Sequence, residues 1–206
     1  MTSVRVRLAL LVAAAALVAP TAVPVHAQTM GQKIRMTAWA VSMSNTATGA
    51  NAVLDIRVDK WSTDQERQKL ISTFLEKGQD GLLNALQKVP VKGRISNPGK
   101  RGPDPQQTRL GWNLRFAMQQ PGEDGGMRIL IATDRYMTFE EVRNQPRTVD
   151  YPFTLFEIHI PKEGKGEGRG FGATQIKFDK KKNQMVLEQY SAGTLQLNEI
   201  TVEAKT

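Results

Sequence analysis

LGWNLRFAM, Leu110 to Met118, alternates large apolar residues with small or polar ones. In an extended chain Leu110, Trp112, Leu114, Phe116 and Met118 share one face, and Gly111, Asn113, Arg115 and Ala117 share the other. A period of two marks a strand with one buried side. AVLDIRVDK, from Ala52, reads the same way: Ala52, Leu54, Ile56 and Val58 oppose Asp55, Arg57 and Asp59. KIRMTAWAVSM, Lys33 to Met43, supplies its hairpin partner through the connection SNTATGAN.

Further strands follow in MRILIAT from Met127, FTLFEIHI from Phe153, GATQIKF from Gly172, QMVLEQY from Gln184 and LQLNEITV from Leu195. In the last of these the apolar phase shifts between Leu197 and Ile200, which predicts a bulge near Asn198 or Glu199. Short connections favour antiparallel pairing, because parallel neighbours need crossovers of about a dozen residues. The sequence therefore predicts an α+β domain built on one strongly curved, mostly antiparallel sheet of about eight or nine strands. A sheet of that size curls into a partial or closed barrel.

One helical segment interrupts the strands after the second. Thr63 and Glu66 have capping-box spacing, Leu70, Ile71, Phe74 and Leu75 form an apolar stripe, and Gly78 ends it. A second short helix is expected from Asp80, with Leu82, Leu83, Leu86 and Val89 buried, until Pro90 stops it. Together the segment from Thr63 to Lys88 should pack over an open side or end of the sheet. SNPGKRGPDPQQ, Ser96 to Gln107, reads as the longest loop. Thr138 and Glu141 repeat the capping-box spacing before Pro146.

KEGKGEGRG, Lys162 to Gly170, has glycine at every second position from Gly164. A phosphate-cradling loop needs strand, glycine turn and helix in that order. Here FGATQIKFD follows, and it alternates as a strand. The run is expected to be a solvated hairpin loop.

The first 27 residues read as a secretion signal: Arg5 and Arg7 precede the apolar run Leu8 to Ala19, and Val25-His26-Ala27 fits signal peptidase. The apolar run is about a dozen residues, short of the roughly 20 that span a bilayer. Cleavage between Ala27 and Gln28 leaves residues 28–206 as a single β-rich domain, periplasmic or extracellular, with no transmembrane segment. The chain has no cysteine, so disulfides and thiolate metal sites are excluded. Lysine and arginine number 28 against 20 acidic residues, and losing Arg5 and Arg7 leaves 26 against 20. That modest excess favours anionic envelope components and gives no reason to expect nucleic acid.

Catalytic residues are hard to assemble. Without His26, His159 is the only histidine, which removes histidine-based metal motifs. Glu157 lies two residues away on the same strand face, about 7 Å along it, so the two flank rather than meet. Asp55, Asp59, Asp134, Glu157 and Glu188 are the carboxylates that could serve hydrolysis. The reading leans away from an enzyme, and no cofactor or metal is expected. Aromatic residues lie on the strands instead. A concave sheet face lined by Trp39, Trp112, Phe116 and Phe156, with His159 at its rim, would take a small apolar or amphipathic ligand.

DYPFTLFEIHIPKEGKGEG from Asp150, with RILIATDR from Arg128 and VDKWSTDQERQKL from Val58, resembles segments of uncharacterised secreted bacterial proteins. The resemblance implies export and a single domain, and it brings no activity or site residues. Two functional expectations follow: an exported, non-catalytic carrier of an apolar ligand, or an envelope interaction protein that meets an anionic polymer or a protein partner through basic loops around Lys100, Arg101 and Lys180 to Lys182. A carboxylate-dependent hydrolase is the third.

Overall fold

Alternating strands do curl into a closed antiparallel barrel. The fold is that of a computed structural model, which describes residues 31–43, 49–99, 110–135, 137, 153–179, 184–190 and 195–203. The expected signal peptide and its cleavage site, the helix start at Thr138, and the basic positions Lys100, Arg101 and Lys180 to Lys182 lie outside the described residues. The strands are β1 (Ile34–Ser42), β2 (Asn51–Val58), β3 (Gly93–Asn97), β4 (Leu110–Pro121), β5 (Met127–Thr133), β6 (Thr154–Ile160), β7 (Gly166–Asp179), β8 (Gln184–Tyr190) and β9 (Leu195–Val202). The helical element α1 (Asp64–Lys88) joins β2 to β3.

The sheet order is β6-β5-β4-β3-β2-β1-β9-β7-β8, and an additional β6–β7 pairing closes eight of the nine strands into a ring. The last part of β7, from Ala173 to Asp179, leaves the ring and pairs with β8 as a hairpin. The interior is filled by the alternating residues the pattern predicts, among them Met36, Leu54, Ile56, Ile95, Leu114, Ile129, Phe156, Ile158 and Leu197. Eight strands enclose a space just wide enough for their own side chains.

Two bulges, in β4 and β9, and a row of glycines adjust this ring, and the first bulge and the glycines correct the sequence reading. Leu114 pairs with Thr133 but Phe116 pairs with Ala132, so β4 carries one extra residue at Arg115. The extra residue inverts the phase: Trp112, Leu114 and Ala117 face inward, while Phe116 and Met118, expected beside Trp112, face outward. The β9 bulge falls where the phase shift placed it, with Glu199 at φ 51°. β3 differs from the sequence reading, which places Ser96 and Asn97 in a loop; five residues are too few to establish a period.

The glycine run is the largest change. Only residues 161–165 turn between β6 and β7; Gly166, Gly168 and Gly170 already lie in β7. They pair with the β6 and β9 positions that hold Phe156, Ile158, Leu195, Leu197 and Ile200. A Cβ on Gly170 would lie 2.5 Å from the Phe156 ring, and one on Gly166 would lie 2.6 Å from Ile160. These glycines are the small half of a small-against-large interior.

α1 begins with the expected capping box: Thr63 Oγ1 accepts from the Glu66 N–H at 3.2 Å, and Glu66 Oε2 accepts from the Thr63 N–H at 2.8 Å. It breaks at Gly78, whose φ of 67° and ψ of −158° leave helical space, so the two expected helices run on as one kinked element. The helix lies against the outer wall of the barrel rather than across an open side or end. Phe116, Ala132 and Leu155 are successive neighbours across β4, β5 and β6, and they pack with Leu70, Phe74, Leu82 and Leu86. Leu75, expected in this stripe, is exposed.

Candidate binding surface

The five positions assigned to a ligand do not form one lining. Trp112 and Phe156 are buried in the barrel interior, at 3% and 0% exposure. Phe116 is on the outer wall beneath α1. Trp39 and His159 stand on the outside. Beside Trp112, the Arg135 guanidinium lies 5.2 Å from the indole centroid and donates to the Gly111 carbonyl at 3.1 Å.

The charged residues of the outer face are mostly organised in pairs. His159 Nε2 lies 3.1 Å from Asp124 Oδ2. That hydrogen bond, and next the Gly126 N–H, hold the Asp124 carboxyl below its usual range. Glu157 is bound by Arg128, whose Nε donates to Oε1 at 2.6 Å, so Glu157 and His159 have separate partners. Asp59 pairs with Arg57 at 3.0 Å and Asp134 with Arg115 at 3.1 Å. Three candidate carboxylates therefore sit each against an arginine rather than facing one another. The side chain of Glu188 lies outside the described residues. Among the described residues no three histidine or acidic side chains gather as metal ligands.

Two features of the outer wall were not legible in the sequence. Arg35, Arg57 and Arg94 are direct neighbours across β1, β2 and β3. Like charges so placed repel. Acidic and amide groups offset this: Glu203 is 3.9 Å from Arg35, Asp59 is 3.0 Å from Arg57, and Arg94 Nη1 donates to Asn113 Oδ1 at 3.2 Å. With Asp55 and Ser96 they line a shallow groove of about 160 Å³. Only the register of three strands reveals this row.

The second feature is Trp39. It lies between the inward residues Ala38 and Ala40, is 45% exposed, and is flanked by Val53 on β2 and Asn198 on β9. Of the three tryptophans it is the exposed one; Trp61 is half-buried and donates Nε1–H to the Gln32 carbonyl at 2.8 Å. One signal was available beforehand. In Ala38-Trp39-Ala40 the large residue alternates with alanines, and a narrow barrel favours alanine inside where the opposite positions are large.

No helix among the described residues is long and apolar enough to cross a membrane. No protein-family model, curated protein or solved structure matches this chain.

Proposed function

We propose that the mature chain is an exported, non-catalytic binding protein that meets its partner on the outside of a filled barrel. The observation that carries this reading is the division of the aromatic residues. Trp112 and Phe156 are spent on the core, while Trp39 is left in water on the outer wall with Val53 beside it. A single exposed apolar residue is ordinary, whereas a patch that runs from Trp39 to its direct neighbour Val53 and along β1 to Val41 is the informative case. An interior ligand would have to displace packed side chains such as Leu114, Ile129 and Phe156. The pairing of Asp59, Asp134 and Glu157 with arginine favours a binding role over hydrolysis, since general acid and base groups must meet a substrate.

The test is native mass spectrometry of protein exported by its own leader and purified without detergent. The expected species begins at Gln28 and carries no stoichiometric small molecule. A one-to-one apolar or amphipathic molecule, released on denaturation, would overturn the outside-surface reading and establish a carrier.

A further inference from the structure

The geometry points to a neutral glycan, stacked on Trp39, as the partner of this outer face. The inference rests on the reading that the barrel binds with its outside. Thr37, Trp39 and Val41 form the outward row of β1, and Val53 extends the apolar patch onto β2. The positions around the indole carry uncharged hydrogen-bonding groups. Asn198 and Gln196 lie beside Trp39 and Val41 on β9, Asn51 lies beside Val41 on β2, and Thr201 lies beside Thr37. Two carboxylates stand beside this row, Asp55 next to Thr37 and Glu199 at the β9 bulge, and Lys165 Nζ holds Glu199 at 2.9 Å.

A pyranose ring matches that arrangement. Its axial C–H groups form a small apolar face that stacks on an indole, and its equatorial hydroxyls project sideways to amides and hydroxyls. Charge complementarity selects against the other occupants. A membrane-seeking face combines a broad apolar surface with lysine and arginine around it; the direct cross-strand neighbours of Trp39 are Val53 and Asn198, and the nearby Lys165 is engaged by Glu199. A second copy of the chain would need about 800 Å² of contact on each partner, centred on an apolar core; Trp39, Val53 and the half-buried Val41, even with the exposed Met43 just past the end of β1, make too small an island.

The β9 bulge adds a separate observation. The residues paired with Trp39 and Thr37 are Asn198 and Thr201, so the extra residue of β9 falls beside Trp39. Glu199 there holds a φ of 51°, a conformation uncommon outside glycine. Bulges re-aim side chains and gather next to functional sites. Here the bulge brings Asn198 level with the indole while Ile200 stays inside.

The experiment uses the mature chain with a panel of neutral oligosaccharides of glucose, xylose, mannose and N-acetylglucosamine. Binding is read by tryptophan fluorescence and by chemical-shift changes of β1, β2 and β9. At least one sugar should bind, and Trp39→Ala should weaken it about tenfold or more, the worth of a good aromatic contact. Affinity should be the same at low and high salt, since no ion pair forms. Trp39 is exposed, so the variant should unfold at the same urea midpoint as the parent, which separates lost binding from lost folding. Failure of every sugar to bind overturns the inference, as does binding that survives Trp39→Ala. Salt-sensitive binding of an anionic polysaccharide independent of Trp39 overturns it while leaving an outside binding surface intact. A dimer in sedimentation that Trp39→Ala abolishes would show that a second copy covers the patch, and overturns it too.

Discussion

Gly170 shows how much a single hydrogen matters in this barrel. Its missing side chain is the space that the Phe156 ring occupies, and Leu195 Cβ lies 3.1 Å from where a Cβ would stand. Gly170→Ala should therefore destabilise the protein by about 1–3 kcal/mol, the cost of overpacking a tight core. Phe156→Leu in the same chain should return part of that loss, because the two changes share one space. Urea unfolding of the two single variants and the double variant measures both. An unchanged midpoint for Gly170→Ala would mean that the interior has room, and would reopen it to a ligand. Gly78 makes the opposite point about a glycine in a helix. Replacing a helical glycine by alanine ordinarily stabilises by about 0.5–1 kcal/mol. At φ 67° and ψ −158° only glycine is comfortable. Gly78→Ala should instead cost about 1–3 kcal/mol, seen as a lowered Tm.

At the scale of elements, α1 is fastened at both ends by charges that reach across from the barrel. Its first turn holds Glu66, which receives both the Thr63 N–H and the buried Lys92 ammonium, the latter at 2.7 and 2.8 Å. Its last turn is held by Arg115, the extra residue of the β4 bulge. Arg115 Nη1 donates to the Val89 carbonyl at 2.8 Å while Nε pairs with Asp134. The bulge thus turns Phe116 under the helix and assigns the neighbouring arginine to the helix end. Burial pushes the Glu66 carboxyl up, but the hydrogen bonds from Lys92 and Thr63 and the Lys92 charge together bring it below its usual 4.5. The unfolded chain then takes the proton more readily than the folded one. The stabilisation is complete above about pH 4.5 and is lost as the pH falls through the lower folded value. Urea midpoints between about pH 6 and pH 3 should fall more steeply for the parent than for Glu66→Gln, which has no such proton to gain. Parallel curves would show that the pair carries no pH-dependent stability.

At the scale of the whole molecule, the ring and the hairpin are separable. β7 spends Gly166 to Gly172 on the barrel and Ala173 to Asp179 on β8, and β8 ends the sheet order. Replacing residues 174–189 by a short turn should leave the barrel closed, with far-UV circular dichroism retained and a single cooperative unfolding transition. Loss of cooperative folding would show that the hairpin is part of the folding unit. The same separation bears on function, because the Trp39 face lies on β1, β2 and β9, away from that hairpin. The variant should therefore bind the same sugar as the parent.

The strands other than β3, the capped start of α1, its break at Gly78 and the β9 bulge are legible in the residues alone. Each of these follows from local rules: a side-chain period of two, reciprocal caps, the dihedral freedom of glycine, and an apolar phase that slips by one residue. Long-range pairing sets which face of β4 carries Phe116, that the glycine row lines the barrel instead of a loop, and that three arginines stand side by side. It also decides that Trp39 faces water while Trp112 does not. The reason is common to all four: which side of a strand is inside depends on bulges and on the size of residues far along the chain, and these meet only when the ring closes.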